Sequence, residues 1–478
     1  MRAAVILLAT MALAGPLYGA DEQMQFGRFG TVTVYRETPE PRSVALFVSG
    51  DGGWNQGVVD MARAVASLDT LAVGIDIRTF LKALGAASEA CSYPAADFEA
   101  LSQFVQKQLH FSHYVTPLLI GYSSGATLVY AALVQAPPGT FGGAVSLGFC
   151  PDLDLAKPMC RGHGLEWTTG PKGKGVNFLP TSTLEQPWIA FQGVVDQVCD
   201  PAGTQSFVAK TARADVVMLP KVGHGYSVQR NWLPQFRQAV ITLTAPAPPA
   251  PRPEAVSDLP LVEVPAPGSA PYLAVMLSGD GGWASLDKEV AGVLAGKGMP
   301  VVGLNSLQYF WSARTPEQLA ADLARVLRHY LTAWGKSKVV LAGYSFGADV
   351  LPFAVSRLPA ELRNAVALVA LLGPSPTAEF EFHVGSWLGR SSSAALPVPP
   401  EIARLKGTRT LCFFGASEGD SPCHGLDPSL ATAVAMEGGH HFGGAYESIA
   451  ERILAELTAT PSASGQGAGS GASSSSGG

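Results

Sequence analysis

The sequence predicts an α/β protein made of two tandem domains, each a mostly parallel sheet flanked by helices. The chain has 478 residues, too many for one ordinary core, and 47% of them are hydrophobic. The hexapeptide Ser-Gly-Asp-Gly-Gly-Trp occurs at 49–54 and again, unchanged, at 278–283. A similar succession of apolar runs and helical stretches surrounds each copy, so we predict that the same βαβ series occurs in both halves of the chain.

Apolar runs predict the strands of each half. Short continuous runs of Val, Leu, Ile and Ala are typical of strands buried on both faces, and helical stretches separate them. The runs are 44–48, 71–75, 117–120, 144–148, 188–191 and 216–219 in the first half, and 273–277, 299–304, 339–342, 365–369 and 411–414 in the second.

Composition divides the chain into five segments. One positive charge at Arg2, an apolar stretch, and small residues at Ala14 and Ala20 predict a secretory signal peptide over 1–20, cleaved after either alanine. We predict the domains at 21–243 and 271–460, joined by an Ala/Pro-rich linker at 244–270. A Ser/Gly/Ala tail at 461–478 has nothing to bury and is predicted to be disordered.

Export would place the six cysteines in an oxidising compartment, where their even number permits complete pairing. Cys412 and Cys423 are expected to pair, because one lies in a strand before a candidate acid loop and the other lies just after that loop. Four cysteines of the first half allow three pairings, which the sequence leaves open. They are Cys91, Cys150, Cys160 and Cys199.

Charge and spacing exclude several classes of partner. The net charge is −6, and no run of Lys or Arg could neutralise several phosphates, so nucleic acid is not an expected partner. No apolar stretch reaches the roughly 20 residues that span a bilayer, so no transmembrane segment is predicted. The spacing of Cys and His matches no metal site, and neither a metal nor a cofactor is expected.

Two Gly-x-Ser-x-Gly motifs follow strand-like runs, at 121–125 and 343–347. In α/β-hydrolases this motif is the nucleophile elbow, a tight strand-to-helix turn that exposes the Ser hydroxyl. Ser123 and Ser345 lie 222 positions apart in equivalent places, which argues against a chance match. We therefore predict two nucleophiles, with a pair of structural glycine-rich turns as the alternative.

A serine nucleophile needs a histidine base and an acid that orients the histidine. In this fold the acid comes after the serine along the chain, and the histidine comes after the acid. In the first half, Asp196 and His224 complete a predicted triad with Ser123. In the second half His440 is the predicted base, because it follows a glycine as His224 does, and His441 is the alternate.

The acid of the second half has two candidates. Glu418 follows the glycine after a strand by three residues, as Asp196 does, whereas Asp420 precedes a cysteine by three residues, again as Asp196 does. The Asp-x-x-Cys pattern is the more specific of the two. Asp420 is therefore the predicted acid and Glu418 the alternate.

The repeated hexapeptide follows the strand where this fold keeps its second oxyanion donor. The first donor would be the N–H directly after each nucleophile, and a glycine-rich turn capped by a buried Trp is the alternative reading of the hexapeptide. The candidate donors are the N–H groups of Ser124, Asp51 and Gly52 in the first half and of Phe346, Asp280 and Gly281 in the second.

These motifs together resemble the VirJ and AcvB family of bacterial virulence proteins, and the second half alone is similar to VirJ. The most specific matching segments are 278–283, 306–316, 343–347, 381–384 and 438–442. The resemblance implies a periplasmic hydrolase that removes the amino acid from aminoacylated phosphatidylglycerol, such as lysyl- or alanyl-phosphatidylglycerol, at the membrane surface. It also implies a link to type IV secretion, with secretion-system proteins as possible partners.

The implied substrate suggests further site residues. A cationic head group favours acidic side chains near the site, and the candidates are Asp280, Glu381 and Glu418. Tyr309 and Trp311 follow a strand end, where open α/β sheets bind ligands, and are candidates to admit the lipid, with core packing as the alternative. The first half lacks this aromatic run, so its substrate stays open. Competing readings are a generic periplasmic esterase or thioesterase, and a secretion-associated binding protein.

Overall fold

The computed structural model describes residues 21–245, 254–383 and 395–458. The predicted signal peptide and the predicted tail lie outside the described residues. Within these ranges, no helix is both long enough and apolar enough to cross a membrane.

The first lobe, residues 21–245, is an eight-stranded sheet with helices on both faces. Its strands, including three short ones outside that sheet, are β1 (Glu22–Phe26), β2 (Gly30–Tyr35), β3 (Ser43–Val48), β4 (Thr70–Ile75), β5 (Leu118–Tyr122), β6 (Gly143–Leu147), β7 (Asp152–Leu153), β8 (Trp167–Thr169), β9 (Val176–Phe178), β10 (Trp188–Gly193) and β11 (Ala214–Leu219). Its helices are α1 (Gln56–Ala66), α2 (Ile77–Ala86), α3 (Pro94–Gln108), α4 (Ser124–Gln135), α5 (Pro201–Val208) and α6 (Leu233–Thr244).

The second lobe, residues 254–458, is a seven-stranded sheet flanked in the same way. Its strands, including a short separate pair, are β12 (Leu261–Val264), β13 (Tyr272–Leu277), β14 (Val301–Leu304), β15 (Lys338–Tyr344), β16 (Val366–Leu372), β17 (Thr377–Ala378), β18 (Leu396–Pro397), β19 (Thr410–Gly415) and β20 (Thr432–Met436). Its helices are α7 (Ser285–Gly296), α8 (Ser306–Tyr309), α9 (Pro316–Ala333), α10 (Phe346–Ser356), α11 (Ala360–Arg363), α12 (Val398–Ala403) and α13 (Tyr446–Thr458).

The two sheets share one topology. The first has the order β1-β2-β4-β3-β5-β6-β10-β11 and the second the order β12-β14-β13-β15-β16-β19-β20. From β4 and β14 onwards all neighbouring strands are parallel, while β2 is antiparallel to β4 and β12 is antiparallel to β14. The first sheet has one further antiparallel strand, β1, at its edge. The prediction of two mostly parallel sheets flanked by helices is confirmed.

The continuous apolar runs are explained by burial on both faces of the sheet. In β3, Leu46 belongs to the hydrophobic cluster on one face, whereas Ala45 and Phe47 belong to the cluster on the other. Successive side chains of a strand point to opposite faces, so a strand covered by helices on both sides needs apolar residues at every position.

Part of the predicted linker belongs to the second lobe. Val256 is fully buried, and β12 at 261–264 forms the antiparallel edge of the second sheet, although both lie within the predicted 244–270 linker. The Leu-Val-Glu-Val segment can form an edge strand, because only one of its sides needs a hydrogen-bonded neighbour. The second lobe therefore begins before residue 271.

All six cysteines are paired. The predicted bridge between Cys412 and Cys423 is confirmed, and it closes a loop between β19 and the segment after the acid loop. By loop entropy, a bridge of this span contributes about 3 kcal/mol to stability. The pairing that the sequence left open is Cys91 with Cys160 and Cys150 with Cys199.

The two lobes meet at a small apolar junction. Tyr114 of the first lobe packs with Leu307, Trp311 and Phe382 of the second. Lys107 at the end of α3 forms an ion pair with Glu381 and donates a hydrogen bond to the carbonyl of Trp311. These contacts hold α3 of the first lobe against the second lobe.

Candidate active sites

Both predicted nucleophiles stand at sharp turns between a strand and a helix. Ser123 lies between β5 and α4 with φ of 56°, and Ser345 lies between β15 and α10 with φ of 51°. This left-handed conformation is unfavourable for a residue with a side chain and is typical of a nucleophile elbow. Gly347 is required because a Cβ there would lie 2.3 Å from the carbonyl oxygen of Leu277 on the neighbouring strand.

In the second lobe, three side chains form a hydrogen-bonded chain. His440 Nε2 lies 2.8 Å from Ser345 Oγ, and His440 Nδ1 lies 2.6 Å from Glu418 Oε1. The second carboxylate oxygen of Glu418 accepts the N–H of Gly415 at 2.7 Å, which fixes the carboxylate. This is the arrangement of nucleophile, general base and orienting acid that activates a serine hydroxyl for attack on a carbonyl carbon.

The structure corrects the predicted acid of the second lobe. Asp420 is exposed and does not contact His440, whose Nδ1 is occupied by Glu418. The spacing from the end of the strand identifies the acid correctly. Glu418 and Asp196 each donate their N–H to the carbonyl of the glycine that ends β19 or β10. The spacing from the cysteine misidentifies it, because the second-lobe loop has two more residues between the acid and the cysteine than the first-lobe loop has.

His440 rather than His441 is the histidine at the nucleophile. His441 Nδ1 instead lies 2.9 Å from the hydroxyl of Tyr344, and burial together with neighbouring His440 lowers the pKa of His441. In the first lobe, the equivalent Tyr122 donates its hydroxyl hydrogen to the backbone carbonyl of His224 at 2.9 Å. In each lobe the tyrosine of the elbow motif thus helps to hold the histidine loop.

The first lobe contains a second complete chain of hydrogen bonds. His224 Nε2 lies 2.9 Å from Ser123 Oγ, and His224 Nδ1 lies 2.9 Å from Asp196 Oδ2. The other oxygen of Asp196 accepts the N–H groups of Val198 and Cys199 at 2.8 and 3.0 Å. The three predicted residues of the first lobe are therefore brought together with the geometry of a triad.

One group in the described part of the chain has metal-ligand spacing. Donor atoms of Asp196, Cys199 and His224 lie within 4.8 Å of one another. Cys199 is bonded to Cys150 in a disulfide, so it has no thiolate to offer, and the other two residues are hydrogen-bonded to each other. This group does not fit a metal ion.

The hexapeptide combines a structural and a site-forming part. The Trp283 ring packs onto Gly303, where a Cβ would lie 2.3 Å from the ring, and Ser278 Oγ accepts the N–H of Ser306. Gly282 donates its N–H to Gly279, so Asp280 and Gly281 occupy the centre of a tight turn. The predicted Trp cap and the predicted glycine-rich turn are thus both present, and the first lobe repeats the turn between Gly50 and Gly53.

Each predicted first oxyanion donor directly follows its nucleophile, at the start of a helix. Phe346 begins α10, so its N–H has no acceptor within the helix, and Ser124 begins α4 in the same way. Asp280, Gly281 and Phe346 line the same cavity as Ser345. In the first lobe, Asp51 and Gly52 form the equivalent turn.

Ser345 opens into a cavity of about 770 Å³ at the junction of the lobes. The second lobe supplies its hexapeptide turn, the elbow and the histidine loop, and the first lobe supplies a wall. The first-lobe lining residues are Tyr93, Glu99, Pro137 and Thr140. The Ser345 site is therefore composed from both lobes.

The cavity is rich in carboxylates. They are Glu99, Asp280, Asp287, Asp349 and Glu379, and no lysine or arginine is among the described residues of the lining. Burial, and secondarily the charge of Asp280, raises the pKa of Glu99 to about 8. Burial likewise raises the pKa of Asp349 to about 8 and that of Asp287 well above its usual range. A bound cation would oppose these shifts by stabilising the ionised carboxylates, so the site favours a cationic ligand.

The sequence model of the VirJ family, described as a bacterial virulence protein, matches residues 42–141 and 271–460, together more than half of the chain. The chain belongs to the VirJ family. Ser345, Glu418 and His440 all lie within the matched segments, whereas Asp196 and His224 lie outside them. No curated protein matches the chain in sequence.

Solved structures with a similar fold each span about half of the chain. XC6422 from Xanthomonas campestris, described as an α/β serine hydrolase without a lid, is 20% identical and covers 49% of this chain and 99% of its own, with a TM-score of 0.32. The esterase domain of a Rhodothermus marinus protein is 14% identical and covers 47% and 97%, with a TM-score of 0.33. A serine hydrolase homologue from Coxiella burnetii is 17% identical and covers 48% and 99%, with a TM-score of 0.32.

The predicted lipid-binding aromatics do not reach the site of this VirJ-family chain. Tyr309 is 1% exposed and donates its hydroxyl hydrogen to Asp322, and Trp311 is 3% exposed and lies in the lobe junction. Glu381 forms the ion pair with Lys107 described above. None of Tyr309, Trp311 and Glu381 lines the cavity, so their predicted role in substrate binding is corrected to packing between and within the lobes.

Sequence reasoning missed the residues that shape the cavity. Glu99 and Tyr93 come from the other lobe, and nothing in the local sequence indicates which surface α3 meets. Asp349 could have been suspected, because it lies one helical turn after Ser345 on the helix that begins at the elbow. In the sequence, Asp287 is typical of an acidic residue in the first turn of a helix. It has that role in α7, because it accepts the N–H of Ala284.

Proposed function

We propose that this VirJ-family protein is a serine hydrolase that cleaves the aminoacyl ester of aminoacylated phosphatidylglycerol at Ser345. The observation that carries the proposal is the Ser345, His440, Glu418 arrangement opening into a cavity lined by five carboxylates. Carboxylates attract the ammonium group of an aminoacyl ester and repel an anionic group, and they offer a neutral fatty acyl chain no apolar contact. Family membership supports the lipid carrier.

The side chains suffice for a two-step reaction. Ser345 Oγ attacks the ester carbonyl while His440 Nε2 takes its proton, and Glu418 stabilises the imidazolium through Nδ1. The tetrahedral oxyanion would be held by the N–H of Phe346 and by an N–H of the turn at Asp280 and Gly281. Collapse breaks the ester C–O bond, and the departing glycerol oxygen takes the proton from His440 to give phosphatidylglycerol. Water then hydrolyses the aminoacyl-enzyme by the same route, which releases the amino acid and frees Ser345.

A periplasmic location is part of the proposal. All six cysteines form disulfides, which persist in oxidising compartments and are rare in the cytosol. The predicted signal peptide agrees with export.

The proposal is tested by incubating the purified protein with lysyl- and alanyl-phosphatidylglycerol in mixed micelles. Free amino acid and intact phosphatidylglycerol should appear in equal amounts by mass spectrometry, without release of fatty acid. Turnover of short acyl esters or thioesters without turnover of either lipid would instead identify a generic esterase. Absence of turnover with every ester would favour the secretion-associated binding role.

We also propose that the first lobe is a second serine hydrolase, because His224 lies within hydrogen-bonding distance of both Ser123 and Asp196. A fluorophosphonate probe reacts only with a serine activated by its base. In a Ser345→Ala protein the probe should still label one site, mapped by mass spectrometry to Ser123. Labelling should disappear in the Ser123→Ala, Ser345→Ala double variant, whereas an unlabelled single variant would show that the first triad is inactive.

A further inference from the structure

The carboxylates of the Ser345 cavity come from both lobes. Asp280, Asp287 and Asp349 belong to the second lobe, whereas Glu99 lies in the middle of α3 in the first. Equivalent positions of α3 and α9 lie 222 residues apart, so Ala321 corresponds to Glu99. Of these two equivalent positions, the one in the first lobe carries the acid.

The start of α3 is firmly held, so the position of Glu99 is well defined. Gln135 is fully buried, and its amide donates to the carbonyls of Ser92 and Cys160 and accepts the N–H of Ala95. The Cys91–Cys160 disulfide ties the same segment to the lobe. These bonds link the beginning of α3 to α4 and to the rest of the first-lobe core.

The lobes contact each other through segments adjacent to the residues that line the cavity. Lys107 lies on the same helix as Glu99, and it contacts Trp311 and Glu381 of the second lobe. Pro138 follows the lining residue Pro137, and its carbonyl accepts a hydrogen bond from Lys288 at 2.7 Å. The first-lobe wall of the cavity is therefore held in place on two sides.

Two of these carboxylates, Glu99 and Asp287, have fewer partners among the described residues than a purely structural cluster would give them. Glu99 takes part in no ion pair with a described residue, and the charge that acts on it is that of another acid, Asp280. Asp287 is 2% exposed, and its Oδ1 has no hydrogen-bond partner. Burying such groups is costly unless a ligand supplies a positive charge or a donor.

The spacing of these groups favours an organic cation over a metal ion. In the described part of the chain, the one set of three or more ligand atoms within 4.8 Å of one another is the first-lobe set at Asp196. No three of the cavity carboxylates are thus close enough together to coordinate one ion. An ammonium group needs only one or two acceptors, and a long amino-acid side chain could reach others.

We propose that Glu99 is a specificity-determining residue of the Ser345 site, contributed by the first lobe, and that it binds the ammonium group of an aminoacyl ester within the acidic surface that it forms with Asp280, Asp287 and Asp349. This inference deepens the proposed function and rests on it for the identity of the ester. It assigns the first lobe a role in the second lobe's reaction that is independent of Ser123.

The test compares wild-type protein with Glu99→Gln on two matched substrates. They are alanine p-nitrophenyl ester, which carries the α-ammonium group, and N-acetylalanine p-nitrophenyl ester, which does not. We expect KM for the cationic ester to rise about 10- to 100-fold with kcat nearly unchanged, the range for losing a hydrogen bond to a charged group. KM for the neutral ester should not rise.

Two variants serve as controls. Glu37→Gln makes the same chemical change at an exposed position of the first lobe and should match the wild type on both esters. Glu99→Asp keeps the charge and should recover part of the preference for the cationic ester. Equal effects of Glu99→Gln on the two esters, or no effect on either, would overturn the inference.

The same variants on alanyl-phosphatidylglycerol separate this inference from the proposed function. A wild-type protein that discriminates between the small esters through Glu99 but leaves the lipid intact would support ammonium recognition and contradict the lipid substrate. A protein that hydrolyses the lipid equally well with Gln at position 99 would support the substrate and contradict the role of Glu99.

Discussion

Replacement of Ser345 by alanine is expected to lower the hydrolysis of aminoacylated phosphatidylglycerol by about 10⁴- to 10⁶-fold. The variant would lack the nucleophile that His440 activates at 2.8 Å, leaving only binding and oxyanion stabilisation. Removing one hydroxyl at an elbow already strained by its φ of 51° should not impair folding. The measurement is initial release of amino acid, with thermal unfolding recorded for both proteins.

Ser123→Ala is the matched control, because it makes the same change at the equivalent elbow of the first lobe. It should retain the wild-type rate on the lipid, since Ser123 is not among the residues that line the acidic cavity. Retention of activity by Ser345→Ala together with its loss in Ser123→Ala would assign the lipid reaction to the first lobe.

Replacement of Glu418 by glutamine is expected to lower kcat by up to about 10⁴-fold while KM changes little. The carboxylate accepts the hydrogen of His440 Nδ1 at 2.6 Å, which sets the tautomer that can take the proton of Ser345. A glutamine amide can present its own N–H group to Nδ1 and so favour the unproductive tautomer. Steady-state kinetics on the lipid and on the small esters measure the effect.

Asp420→Asn provides the comparison within the same loop. Asp420 is exposed and does not contact His440, so kcat and KM should stay within about twofold of the wild type, as for most surface substitutions. A large loss of kcat in Asp420→Asn with an active Glu418→Gln protein would falsify the assignment of Glu418 as the orienting acid.

The duplicated architecture and the two elbow turns at Ser123 and Ser345 follow from the sequence alone. Apolar runs are local signals of strands buried on both faces, and an elbow needs only a strand, two glycines and a helix within a few residues. The histidines could also be predicted, because each comes at a recognisable place after the last strands of its lobe. Asp196 was predictable for the same reason, since its turn begins at the glycine that ends β10.

Some features of the site could be determined only from the tertiary structure, because they depend on the conformation of loops and on the contact between the two lobes. The acid at His440 is Glu418 because the turn at the end of β19 positions its carboxylate, whereas the loop onward to Cys423 differs in length from its first-lobe counterpart. Trp311 looked like a lipid contact but is covered by Tyr114 of the other lobe. Glu99 reaches the Ser345 cavity only because the first lobe docks there, and contacts between residues hundreds of positions apart leave no periodicity in the sequence.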